Sequence, residues 1–123
     1  MMSSDRLAAL EKQKYINLET YKKSGQAVRT PVWFMISDGL VFVLTTQNTG
    51  KIKRIKNNPK IRIMPCGMRG EPKGDWIEGT ARFATESETQ NAIKMRHKKY
   101  GLRAMIVGMF IKKEKPIVIA IQI

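Results

Sequence analysis

The spacing of apolar positions changes several times along the chain, and each change marks an element. Leu7, Leu10 and Ala8 share a face at helical spacing, which predicts a short helix from about Ser4 to Gln13 with Ser4 as its N-cap. From Tyr15 to Tyr21 the period falls to two, with Ile16, Leu18 and Thr20 on one side and Tyr15, Asn17, Glu19 and Tyr21 on the other. Ser24-Gly25 is a turn signal, so this strand forms a hairpin with a second strand from Ala27 to Ile36. Pro31 removes a ladder donor there and calls for an edge position or a bend. Asp38-Gly39 supplies the positive φ angles of a tight turn into a buried strand, Leu40 to Leu44.

Thr49 is expected to cap a two-turn helix through Lys56, and Pro59 forbids its continuation. Ile61, Ile63 and Met64 mark another strand, Gly67 to Gly74 a loop, and Trp76 to Ala84 a fifth strand. Gly79 within it signals either a bulge or the close approach of another backbone. Thr85 and Glu88 match a capping box that opens a helix to about Tyr100, stopped by Gly101. Leu102, Met105, Ile106, Met109 and Phe110 form a second amphipathic stripe. The last strand, Ile117 to Ile121, is continuously apolar and is expected to be buried on both faces. This pattern predicts a mainly β (α+β) domain spanning residues 1–123: a six-stranded antiparallel barrel with peripheral helices. Barrel closure would hide the sheet edges. The apolar last strand and eight methionines suggest a further surface buried in a dimer.

Composition adds one unusual quantity. The 123 residues suit one domain, and 23 basic against 10 acidic side chains give a net charge of +13. The excess is spread over both halves, so it belongs to the folded surface and not to a tail. Nucleic acid, membrane phosphate or a polyanionic cofactor would satisfy such a field, and a merely solubilising lysine surface would produce it too. No apolar run approaches the roughly 20 residues of a membrane span. The N-terminus lacks the apolar core of a secretory signal, and Cys66 is the single cysteine, so the cytoplasm is the expected compartment.

The segment Leu44 to Arg54 carries the clearest chemistry. A hydroxyl-rich strand end, Thr45-Thr46, runs through a polar turn into a helix start, where unpaired N–H groups favour a phosphate. Lys51 in the first turn opposes the helix dipole unless an anion compensates it. The alternative is a solvated basic helix resting on Ile52 and Ile55. No Walker pattern occurs, which argues against a nucleoside triphosphatase. His97 has no partner histidine or cysteine for zinc, Cys66 reads as structural, and no nucleophile elbow supports a hydrolase. The basic run Lys94, Arg96, Lys98, Lys99 and Arg103 reads as a solvated helix face.

Arg29-Thr30-Pro31-Val32-Trp33-Phe34, Thr45-Thr46, Gly50-Lys51-Ile52-Lys53-Arg54-Ile55, Asn58-Pro59, Pro65-Cys66 and Gly74-Asp75-Trp76-Ile77-Glu78-Gly79-Thr80-Ala81-Arg82 occur in that order. In these segments the chain resembles the pyridoxamine 5'-phosphate oxidase-like flavin-binding split barrels, and within them the subgroup described as deazaflavin (coenzyme F-420)-dependent. The resemblance implies a homodimer of split barrels with two cofactor sites at the subunit interface.

It also implies roles for particular residues. Lys51 corresponds to the family's phosphate-binding lysine and Thr45, with Thr46 beside it, to the strand hydroxyl. Arg29 corresponds to the basic residue of the second strand. Thr30, Pro31, Val32 and Trp33 would run along the flavin or deazaflavin ring, although Trp33 equally suits a core or a dimer interface. Arg54 shares a helix face with Lys51 and would reach the phosphate or a more distal anion. Gly50 stands where pyridoxamine phosphate oxidases tend to carry an arginine. That difference, with the absence after Ile123 of those enzymes' C-terminal substrate-binding segment, argues against pyridoxamine phosphate as substrate. The implied cofactor is F-420, whose oligoglutamate tail suits the positive field, with FMN as the alternative. The implied activity is hydride transfer to or from a small organic substrate, with no catalytic side chain assigned. A cofactor-binding protein without turnover comes second, and a basic nucleic-acid-binding barrel third.

Overall fold

A computed structural model describes residues 2–46, 49–101 and 116–123. The expected stripe from Leu102 to Phe110 lies outside these residues. Helix α1 (Met2–Glu11) leads into strand β1 (Tyr15–Tyr21), which pairs antiparallel with β2 (Ala27–Val32). Gly25, at φ 91°, turns the chain between them. Strand β3 (Met35–Ser37) and strand β4 (Leu40–Thr46) form a second hairpin through Asp38 and Gly39, both at positive φ, as the dipeptide predicts. Helix α2 (Gly50–Asn57) buries Ile52 and Ile55, and strand β5 (Lys60–Cys66) follows. Strand β6 (Ile77–Phe83), helix α3 (Glu86–Tyr100) and strand β7 (Pro116–Gln122) complete the described chain.

Among the described residues seven strands, not the expected six, form one sheet in the order β2-β1-β5-β6-β7-β4-β3. The strand expected from Ala27 to Ile36 is divided at Trp33-Phe34, so its first part lies on one sheet edge and its second part on the other. The physical reason is hydrogen bonding. The N–H of Phe34 donates to the Tyr100 hydroxyl at 3.0 Å, and that hydroxyl lies 3.0 Å from the Phe34 carbonyl, so a distant side chain takes peptide groups a ladder would use. One short stretch thereby joins both edges, and Pro31 sits on an edge strand as its missing N–H requires.

The sheet encloses a core of Ile16, Leu18, Phe34, Val41, Val43, Ile61, Ile63, Ile119 and Ile121, to which α1 adds Leu10 and α2 adds Ile52 and Ile55. A second cluster on the outer face joins Phe42, Val118 and Ala120 to Ala92 and Tyr100 of α3. Strand β7, paired on both sides, contributes alternate residues to the two clusters, which accounts for its unbroken apolar run. Gly79 lies in an unbroken register with β5, opposite Ile61. A Cβ there would stand 2.7 Å from the Gln122 carbonyl oxygen, so the glycine serves close backbone approach and not a bulge. Among the described residues no helix is long and apolar enough to cross a membrane.

Candidate functional site

Among the described residues two helix N-termini follow strands, and they solve the problem of their unpaired N–H groups differently. In α3, the Thr85 hydroxyl accepts the Glu88 N–H while the Glu88 carboxylate accepts the Thr85 N–H, with Glu86 adding a further charge. Arg82 beside Glu88, with the Thr85 N–H, holds that carboxyl down at about 2. This end supplies its own anion. At α2 the N-cap position belongs to Thr49, as expected, but its hydroxyl caps nothing. Thr49 Oγ1 donates to the Thr46 carbonyl at 3.3 Å and lies 3.3 Å from Thr45 Oγ1, and no acid stands in the first turn.

Two cations stand beside that uncompensated end. Lys51 is half-buried, and burial first, then the neighbouring Arg54 charge, pushes its ammonium below the ordinary lysine range. Arg54 donates from Nε to Thr20 Oγ1 at 2.6 Å and folds back over Gly50, where a Cβ would stand 2.6 Å from its Nη1. The ion pairs among the described residues are Arg62 with Glu19 and Arg82 with Glu88, so neither Lys51 nor Arg54 has a carboxylate partner there. Thr45, Thr46, Gly50, Lys51 and Arg54 therefore converge on one turn. Like charges held together without an acid repel. The donor set fits a phosphate, which would accept from the ammonium, the guanidinium and the first-turn N–H groups together.

The remaining expected residues are placed elsewhere. Strand β2 alternates: Thr30 and Val32 lie opposite Leu18 and Ile16 on the inner face, while Arg29 and Pro31 are exposed opposite Glu19 and Asn17. Arg29 thus leaves the strand on the face away from Val28 and its partner Thr20, and so away from Arg54. It lies in a cross-strand row with Glu19 and Arg62, and the Trp76 ring sits 4.9 Å from its guanidinium and 4.6 Å from that of Arg62. Trp33 stacks on Tyr100 with centroids 4.3 Å apart, against the second cluster. The sequence reading missed Thr20, whose only local signal is a hydroxyl in the apolar row of β1, and the buried Glu19 between Arg29 and Arg62. Cys66 is buried, and burial pushes its thiol up, which suits its reading as structural. His97 is exposed on α3.

No curated protein matches the sequence. Among solved structures, the heme storage protein HutZ of Vibrio cholerae superposes with a TM-score of 0.71 at 16% identity, over 97% of this chain and 87% of that one. An FAD-binding protein of Mesorhizobium loti gives 0.68 at 14% identity, over 100% and 88%. General Stress Protein 26 of Bacillus anthracis gives 0.68 at 18%, over 98% and 88%. Residues 4–122 match the family described as pyridoxamine 5'-phosphate oxidase. A match over nearly the whole chain, on an antiparallel sheet whose edges meet in one divided strand, makes this chain a member of the pyridoxamine 5'-phosphate oxidase-like family of flavin-binding split barrels.

Proposed function

We propose that the protein is an oxidoreductase that binds a deazaflavin, F-420, or in its place FMN, and passes a hydride to or from a small organic substrate. The observation that carries this reading is the start of α2, where Lys51 and Arg54 stand together with no acid partner among the described residues, beside a helix end whose N-cap hydroxyl is turned away. Lys51, Arg54 and Thr45 would hold the cofactor phosphate. The bound ring would supply the redox chemistry, and the chain would supply position and charge.

The opposed directions of Arg29 and Arg54 support a homodimer. A site that used both residues would need one from each copy, with Thr30 to Trp33 running along the ring. The net charge of +13 supports the more anionic F-420 over FMN. A second reading, retention of cofactor without turnover, draws support from the likeness to a heme storage protein. The test is an absorbance spectrum of the purified protein before and after addition of FMN and of F-420. A bound-ring spectrum with either is expected, and a protein that takes up neither would overturn both readings.

A further inference from the structure

Arg54 differs in one respect from the two arginines that form ion pairs in the described chain. Arg62 and Arg82 spend Nη groups on Glu19 and Glu88. Among the described residues Arg54 donates from Nε alone, and its acceptor is a hydroxyl and not a carboxylate. That hydroxyl belongs to Thr20, 1% exposed, at the polar end of the Ile16-Leu18-Thr20 row of β1. A neutral acceptor fixes the guanidinium plane and leaves its charge uncancelled, and neither Nη group donates to another of the described residues.

Gly50 completes the arrangement. Its φ is not positive, so no backbone demand selects glycine here, and glycine weakens a helix relative to alanine. What its missing side chain provides is space: the Arg54 Nη1 occupies a position 2.6 Å from where a Cβ would be. The first-turn N–H groups of α2 and the guanidinium therefore lie side by side.

We infer that Thr20 is a positioning residue for the phosphate group of the cofactor, and that Gly50 determines which side chain meets that phosphate by giving Arg54 the place above the helix start. The inference rests on the proposed phosphate site and adds its geometry. Thr20 fixes Nε, Gly50 admits Nη1, and the terminal nitrogens of Arg54 meet the anion beside Lys51.

The test compares FMN, F-420 and riboflavin, which keeps the ring and lacks the phosphate, in binding titrations on the full chain. Gly50→Ala is expected to leave the melting temperature unchanged or raised while FMN binding falls about tenfold, since its Cβ displaces only the end of a flexible side chain. Thr20→Val is expected to cost FMN a similar factor of about ten and riboflavin nothing, and Thr20→Ser to stay within about twofold of wild type. In an Arg54→Met background, Gly50→Ala and Thr20→Val should cause no further loss. Wild-type affinity for FMN in both Gly50→Ala and Thr20→Val, equal loss of riboflavin, or an undiminished effect without Arg54 would overturn the inference and leave the phosphate site standing. Failure of wild type to bind either FMN or F-420 would overturn both.

Discussion

A single hydroxyl, that of Tyr100, both receives the N–H of Phe34 and lies within hydrogen-bonding reach of the Phe34 carbonyl, 3.0 Å in each case. It also reaches the Lys14 carbonyl at 2.8 Å. The end of α3, the break between β2 and β3 and the entry to β1 are thus fastened at one atom. Tyr100→Phe leaves the ring stack on Trp33 but strands a buried peptide N–H. The expected cost is about 1–3 kcal/mol in unfolding free energy, read from urea denaturation. A cost below about 0.5 kcal/mol would remove the hydroxyl from the closure of the barrel.

The same corner sets an alkaline profile. The Lys99 ammonium lies 3.5 Å from the centre of the Phe34 ring and donates to the Phe34 carbonyl at 3.0 Å. Burial lowers it to about 8, with Glu11 pulling the other way. The unfolded lysine titrates near 10.4, so between about pH 8 and 10.4 the unfolded chain binds more protons and stability rises with pH. Burial raises Tyr100 to about 12, so from about pH 10 to 12 the unfolded chain holds fewer protons and stability falls. Denaturation midpoints are expected to climb from pH 8 and decline above about pH 10. Lys99→Met should flatten the climb and spare the decline.

Lys51→Ala is expected to weaken binding of the phosphorylated cofactor by about 1.5–3 kcal/mol, the value of a hydrogen bond to a charged group. Because Lys51 faces Arg54 with no acid partner among the described residues, the cofactor-free protein should lose no stability. Equal cofactor affinity in wild type and variant would refute the assigned role.

Tail length separates the two cofactors. If the positive surface is matched to F-420, affinity should increase from FMN to F-420 and again with added glutamates, and salt should weaken the longer tails most. Lys53 and Lys56 on α2 are the outer contacts expected to read the tail. Calorimetry that shows tighter binding of FMN would reject the deazaflavin and retain the flavin-binding barrel.

A dimer is the expected solution state, since Arg29 and Arg54 leave one chain on different faces. Light scattering at micromolar concentration should give twice the mass of one chain. A single-chain mass would remove the composite site.

Elements fixed by neighbouring residues were legible from the sequence. Asp38-Gly39 needs only its own backbone freedom to make a hairpin, and Thr85 reaches Glu88 within one turn. The helix at Thr49 and the doubly buried β7 follow from local spacing in the same way. The division of β2 from β3 was not legible, because its cause is Tyr100, 66 residues from Phe34. The same holds within the candidate site. Lys51 and Arg54 are one turn apart and declare themselves together, whereas Thr20 joins them only through the packing of α2 on β1. Arg29 showed its charge in the sequence, but its facing depended on the register with Glu19.

The divided strand also governs how the molecule avoids sticking to its own kind. Both borders of the sheet are drawn from one stretch of eleven residues, 27–37. One border carries a proline and an exposed arginine, and the other is three residues long. A foreign strand finds a missing donor and a charge at the first and too short a template at the second. Copies of this chain are therefore held back from joining through these two edges into a continuous sheet, which leaves the faces of the barrel as the part of the sheet open to specific association.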